Sequence, residues 1–320
     1  MDRRPVILDC DPGHDDAVAI LLAARHFEVL GVTTVAGNAS VDLTTLNARR
    51  IVDLAGLRLP VARGCAAPLV QPPVHALEIH GPGGLAGYEF PPPRAPVEAR
   101  HAVDFLIDTV RSREGVTIIA TGPLTNLAVA LRLAPDIMGR IREVSLMGGS
   151  VTLGNVTPAA EFNVWVDPEA AAAVFRSGVP LWMCGLNVTR QAGLGEADIE
   201  RLGALGTRTA RAIASLLGFS LRRQREAAGT ASCLLHDPCA VAILLEPSPI
   251  SWVPAHVAVE LRGEHTRGMT VCDVRHVPAF NPAAAEGGPP RGEPPNARVG
   301  VTLDRPAFLR LLEDALASFP

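Results

Sequence analysis

Short apolar runs rich in β-branched residues alternate with helical patterns from Val6 to Cys184, and no other property of the chain narrows its fold as far. Strands are expected at Val6–Leu8, Val29–Val35, Val61–Ala62, Val116–Ala120, Val144–Met147 and Leu181–Cys184. Helices are expected between them, at Asp15–Arg25, Val41–Leu54, Ala102–Ser112, Leu124–Leu133 and Pro168–Ser177. Asp167-Pro168 offers an N-cap and a first-turn proline, and Gly178-Val179-Pro180 stops the same helix. This rhythm predicts an α/β fold: a doubly wound, mainly parallel, Rossmann-like sheet with helices on both faces. With 320 residues, 48% of them hydrophobic, the chain can bury such a core as one domain spanning 1–320.

Past Cys184 the pattern loosens. One or two helices are expected across Asp198–Ala228, an apolar helical segment at Pro238–Leu245, and strands at Val257–Leu261, Met269–Val274 and Ala297–Thr302, closed by a helix from Pro306. Two long loops, Gln71–Pro96 and Pro278–Asn296, are rich in proline and glycine, and the first has the length expected of a lid. No internal repeat is visible.

Charge and composition exclude several functions. The net charge is −4 with both signs interspersed, so there is no basic footprint for nucleic acid and a small-molecule partner is expected. The apolar stretches fall well short of the roughly 20 residues that cross a bilayer, and the N-terminus has no signal-peptide layout, so a cytoplasmic protein without membrane contact is expected. Six scattered cysteines without a C-x-x-C pair read as reduced core residues. Lysine is absent, which removes Schiff-base catalysis and the P-loop lysine.

The first strand ends in chemistry. Asp9, Asp11, Asp15 and Asp16 crowd into eight residues between that strand and an apolar helix, with Pro12-Gly13 making the turn. Carboxylates so close repel one another, and a hard divalent cation with oxygen ligands is the least costly way to keep them ionised. The alternative is a solvated turn before an acidic helix N-terminus. In open α/β sheets ligands bind at the carboxyl ends of strands. Gly37-Asn38, Thr121–Asn126 and Met147–Asn163 follow other strands in the same way. His236-Asp237 opens a later helix, as a second acidic group or as a plain N-cap. Asn155, Glu161 and Asn163 carry the donors and acceptors that suit sugar hydroxyls, although a capped glycine-rich loop has the same composition.

Taken in order, Asp9–Asp16, Val35–Asn38, Ile79–Gly81, Thr121–Asn126, Met147–Gly149, Glu161–Asn163, His236-Asp237 and Thr270–Asp273 resemble the inosine-uridine type nucleoside hydrolases nearly end to end. The resemblance implies a calcium-dependent N-ribohydrolase acting on a small-molecule nucleoside, and a homodimer or homotetramer. Carried over by position, it implies that Asp11, Asp16 and Asp237 bind Ca²⁺ by side chain and Thr121 by its carbonyl. Asp11 would also be the general base for water, oriented by Asn38. Asp15 and Asn163 would hold the ribose 2′ and 3′ hydroxyls, and Asn155 and Glu161 the 5′-hydroxyl. His236 would stand beside the leaving base as its proton donor, Gln224 would line the base pocket, and His80 would close over sugar or base.

The chemistry of glycosidic cleavage agrees, since carboxylates near the ring stabilise the positive charge that grows on it. Base preference leans to pyrimidines, because Gln224, His14 and His80 match that side of the family. Against this, some pyrimidine-preferring relatives carry a tyrosine where this chain has Ala228. Trp165, Trp182 and Trp252 are expected in core or strand surroundings, leaving no aromatic sandwich for a purine. Two other classes stay open: an aspartate-nucleophile phosphatase built on Asp9 and Asp11, and a non-catalytic nucleoside or sugar binder.

Overall fold

The computed structural model describes residues 3–94, 96–229, 231–284 and 292–320, without the side chains of residues 227 and 228. The Ala228 side chain and the middle of the 278–296 loop therefore lie outside the described residues.

Among the described residues eight strands form one sheet. They are β1 (Pro5–Cys10), β2 (Glu28–Thr34), β3 (Val61–Arg63), β4 (Val116–Ala120), β5 (Ile141–Met147), β6 (Leu181–Cys184), and two from the C-terminal part, Ile250–Ala255 and Ala297–Leu303. Two short ladders lie apart from it. One pairs β7 (Gly193–Leu194) with β8 (Cys233–Leu234), and the other pairs β10 (Val257–Val259) with β11 (Thr270–Cys272). In this numbering the last strands of the main sheet are β9 (Ile250–Ala255) and β12 (Ala297–Leu303), and the order is β3-β2-β1-β4-β5-β6-β12-β9. All neighbours run parallel except the edge pair β12–β9.

Alternation along the strands explains the layers. In β1, Val6, Leu8 and Cys10 join one apolar cluster and Ile7 joins the other, so both faces of the strand are buried. The first cluster takes in Ile20 and Leu21 of the helix His14–His26 and Phe308 and Leu312 of the helix Arg305–Ala317. The second takes in Leu106 of the helix Ala102–Ser112 and Leu127 of the helix Thr125–Leu133. The helix His14–His26 has no polar stripe because it is enclosed, by the sheet and by the helices Arg208–Ala228, Pro238–Ala242 and Arg305–Ala317.

The order reverses between β1 and β4, where the chain winds outward first one way and then the other. At such a switch point the loops leaving adjacent strands part and leave a crevice beyond their carboxyl ends. The loops after β1 and β4 carry Asp11–Asp16 and Thr121–Asn126, so the topology itself brings the acidic run against the Thr121 segment.

The structure departs from the sequence expectations at several places. β1 runs on to Cys10, which puts Asp9 inside the strand, and the edge strand Ile250–Ala255 was not expected at all. It contains Pro254, which cannot donate to a ladder and is tolerated here because only one side of the strand is paired. Trp252 lies on this edge strand at 43% exposure, outside the core, set edge-to-face on Trp182. The loop from Gln71 is partly structured, with a short helix Leu77–His80 and a turn at Pro82–Gly84. It is pinned to the helix Arg208–Ala228 by Ser215 Oγ donating to the Gly87 carbonyl and by Arg223 donating to the Glu78 carbonyl.

Asp167 caps the helix Pro168–Phe175 by accepting from the Ala170 N–H, and also accepts from the Leu69 N–H and the Thr125 hydroxyl. Asp167→Ala strands these donors inside the protein, and we expect it to lower unfolding free energy in urea by about 2–4 kcal/mol. Asp136→Ala, which removes an exposed partner of Arg111, should leave it nearly unchanged. Equal effects of the two substitutions would contradict this account of the cap.

Candidate active site

A cavity of about 300 Å³ opens beyond the carboxyl ends of β1, β4 and β5. Carboxylates and histidines both line it.

The acidic side is built by two segments far apart in the chain. Asp15 and Asp16 open the helix His14–His26, and Asp237 opens the helix Pro238–Ala242 more than 200 residues later. Carboxylate oxygens of Asp15, Asp16 and Asp237 all lie within 4.8 Å of one another. Asp15 and Asp16 are aimed by hydrogen bonds from their surroundings. Asp16 accepts from the Thr121 hydroxyl at 2.7 Å and the Gly13 N–H at 2.9 Å, and Asp15 accepts from the His236 N–H at 3.1 Å.

Asp11 is fully buried beside this group. Its Oδ2 accepts from the Asn38 N–H at 2.7 Å, while the Asn38 side-chain amide donates to the Asp11 carbonyl. Its Oδ1 is buried with no hydrogen-bond partner among the described residues. Glycine is required on both sides of it: a Cβ at Gly37 would fall 2.0 Å from Asp11 Oδ2, and one at Gly122 2.8 Å from Oδ1. Burial, reinforced by the charge of Asp16, holds the Asp11 carboxyl well above the usual carboxylate range. Burial and then Asp15 do the same to Asp237, and push Asp16 up to about 6. An unpartnered buried carboxylate oxygen next to three crowded carboxylates fits an oxygen-ligated divalent cation, whose positive charge would offset the burial and repulsion behind these shifts.

Asp9, the other member of the D-x-D pair, does not face the cavity. Its Oδ1 accepts from Asn126 and Thr33 in the interior, its Oδ2 is unpartnered, and burial raises it to about 6. A nucleophile so enclosed cannot reach a phosphate ester.

On the third wall, Glu161 caps the helix Phe162–Val166 by accepting from the backbone N–H groups of Asn163, Val164 and Gly149. Burial lifts its carboxyl to about 7 despite these donors. The Asn163 amide donates to the Thr121 and Met147 carbonyls, which ties this wall to the ends of β4 and β5. Asn155 is exposed at the rim and accepts from the Phe162 N–H.

The histidine side holds His236, His80 and Gln224. His236 Nδ1 lies 2.7 Å from the Thr189 hydroxyl, and burial holds its ring below the ordinary histidine value. His80 ends the short helix Leu77–His80 and is pushed down to about 4, by burial and then by His14. Gln224 is fixed by donating to Ser220 Oγ and accepting from the Leu234 N–H.

Asp11, Asp15, Asp16, Asn38, Thr121, Asn155, Glu161, Asn163, His80, Gln224, His236 and Asp237 are thus gathered at or directly against one cavity. Sequence reasoning missed Ser220, although its place one turn before Gln224 on the same helix face was a usable signal. It also missed Thr189, for which the sequence holds no signal because only the folded chain brings it to His236.

Comparison with known proteins agrees with this geometry. A family model described as inosine-uridine preferring nucleoside hydrolase matches residues 6–310. The pyrimidine-specific ribonucleoside hydrolase RihA of Shewanella woodyi is 43% identical over 321 residues, 99% of each chain. RihB of Escherichia coli K12, also pyrimidine-specific by name, is 38% identical over 322 residues, 100% of this chain and 99% of that one. Among solved structures, a purine-preferring ribonucleoside hydrolase from Gardnerella vaginalis superposes with a TM-score of 0.87 at 32% identity over 98% of each chain. The plant nucleoside hydrolase PpNRh1 gives 0.87 at 31% identity over 99% of each. With the family model spanning nearly the whole chain and these relatives aligned end to end, the chain belongs to the inosine-uridine preferring nucleoside hydrolase family.

Proposed function

We propose that this chain hydrolyses the N-glycosidic bond of ribonucleosides, pyrimidine ribonucleosides foremost, with Ca²⁺ held by Asp11, Asp16, Asp237 and the Thr121 carbonyl. The observation that carries the reading is that the buried acidic group and two histidines border one cavity. Bound there, the cation supplies positive charge that keeps the carboxylates ionised and makes water more acidic.

The chain's own groups supply the rest. Asp11, aimed by Asn38, takes a proton from the attacking water, and the oxygen of that water bonds to C1′. Asp15 and Asn163 hold the 2′ and 3′ hydroxyls, and Asn155 and Glu161 the 5′-hydroxyl, so the ring is fixed for attack. As the C1′–N bond breaks, its electron pair passes to the base and positive charge grows on the ribosyl ring beside the carboxylates. His236 serves the departing base through its ring N–H, and the proton lost by water is balanced by the one the free base gains. The pyrimidine preference rests on the names of the two sequence relatives and on a lining in which Phe162 is the one ring besides the histidines. No helix among the described residues is long and apolar enough to cross a membrane, and we place the enzyme in the cytoplasm as a homodimer or homotetramer.

The first test is turnover of uridine, cytidine, inosine and adenosine by reducing-sugar release, with and without a chelator. We expect kcat/KM for uridine to exceed that for inosine by at least about tenfold, and both activities to vanish on chelation and in Asp11→Ala. Unchanged turnover in metal-free enzyme would contradict the calcium assignment. His236→Ala should lower kcat on uridine by about 10²–10⁴-fold, yet 4-nitrophenyl riboside, whose leaving group is already a stable anion, by less than about tenfold. Equal losses on both substrates would remove His236 from the leaving-group side.

Stability should depend on pH in a direction the buried acids dictate. Glu161 is raised from 4.5 to about 7, so its contribution to stability is complete below the unfolded value and is lost as pH rises through about 7. Asp11 and Asp237, raised by burial and their neighbours, act in the same sense. His80, lowered from 6.5 to about 4, acts in the opposite sense, as do the lowered His14 and His236, and this effect on the slope fades as pH rises past 6.5. Between about pH 6.5 and about pH 8, chelated protein should therefore lose Tm in calorimetry, and saturating Ca²⁺ should flatten the slope. A Tm that rises over this window without metal would contradict the electrostatics described above.

A further inference from the structure

His80 and His236 border the base end of the cavity, and the groups that decide their hydrogen-bond polarity lie behind it. His14 Nε2 lies 2.7 Å from the Ala86 carbonyl oxygen, which can only accept, so this nitrogen carries the hydrogen. The neutral His14 ring then has a bare Nδ1, and this atom lies 3.2 Å from His80 Nδ1, with the two ring planes nearly parallel at 14°. His80 must donate from Nδ1, which leaves its Nε2 a bare acceptor. Two features fix the ring there. The backbone of Gly13 lies so close that a Cβ would fall 2.5 Å from His80 Nδ1, and Phe219 stacks on His14 with ring centroids 5.6 Å apart.

His236 is held the other way round. Its Nδ1 is 2.7 Å from the hydroxyl of Thr189, which is fully buried and makes no other hydrogen bond among the described residues. Were that hydroxyl to accept from Nδ1–H, its own hydrogen would be buried without a partner. The hydroxyl therefore donates to Nδ1, and His236 carries its hydrogen on Nε2.

We infer that His14, backed by the Ala86 carbonyl, and Thr189 are positioning residues that lock the two cavity histidines in opposite tautomers, His80 as acceptor and His236 as donor. The arrangement suits a nucleobase edge with an N–H beside a carbonyl, as in uracil. It involves no change of charge. The inference rests on the nucleoside reading of the cavity for its consequence, but the tautomers themselves can be read without any substrate.

The experiment is a long-range ¹H–¹⁵N correlation spectrum of the full chain labelled at its histidine rings, with Ca²⁺ present and signals assigned with His80→Gln and His236→Gln. We expect His80 protonated on Nδ1 alone and His236 on Nε2 alone. In His14→Leu, His80 should pass largely to the Nε2–H form and KM for uridine should rise about tenfold while kcat moves less than about threefold. His14→Asn, whose Oδ1 replaces the Nδ1 acceptor, should restore both readouts. Thr189→Val should release the His236 tautomer and Thr189→Ser should keep it. A wild-type spectrum with His80 protonated on Nε2, or with both rings in one tautomer, overturns the inference even if a variant fails to fold. Should the chain cleave no nucleoside while the opposite tautomers are seen, the nucleoside reading fails and the locks stand.

Discussion

Repulsion among carboxyl groups that the fold will not let apart is the interaction on which the rest of this molecule turns. Asp11, Asp15, Asp16 and Asp237 come from two segments far apart in the chain, and folding forces them together at the cavity, with Asp11 and Asp16 fully buried. At an effective dielectric of about 20, two such charges 4 Å apart repel by about 4 kcal/mol, a large fraction of the 5–15 kcal/mol typical of a whole domain. A chain gains nothing structural from this arrangement. Gly37 and Gly122 are nevertheless fitted against Asp11 so closely that no side chain could replace them, and Asn38 and Thr121 hold the carboxylates in place.

The sheet makes that crowding possible. Because its order reverses between β1 and β4, the loops leaving these two strands flank one crevice, and both apolar clusters beneath them anchor the strands that carry those loops. The Glu161 carboxylate ends one short helix and forms part of the cavity wall, so local structure and site depend on the same three hydrogen bonds. The cavity consequently has two chemically distinct ends, acidic where a sugar would sit and imidazole-lined where a base would leave.

Much of this was legible in the amino-acid order. Apolar runs with helical patterns between them marked β1 to β6, and the helices Val41–Leu54 and Ala102–Ser112 have the expected bounds. The helices are long and carry a clear period, and the strands stand out as apolar runs between them. The edge strand Ile250–Ala255 was not legible, since Pro249 and Pro254 argue against a strand unless its edge position is known. The ladder between Gly193–Leu194 and Cys233–Leu234 is too short to show any period. Within the site, the aspartates announced themselves by crowding, whereas the contacts of His14 with His80 and of Thr189 with His236 exist only in three dimensions. Trp252 was expected in core or strand surroundings; it lies on a strand, and the position of that strand at the sheet edge leaves it exposed.

One divalent cation should relieve the buried acidic group. Calcium titrated by calorimetry into chelator-stripped protein at pH 6.5, in buffers of different ionisation enthalpy, counts both the ions bound and the protons released. The account predicts a single site per chain, net proton release on binding because the raised carboxyls must ionise, and loss of the site in Asp237→Asn. Absence of binding, or binding that releases no protons and survives Asp237→Asn, would contradict it.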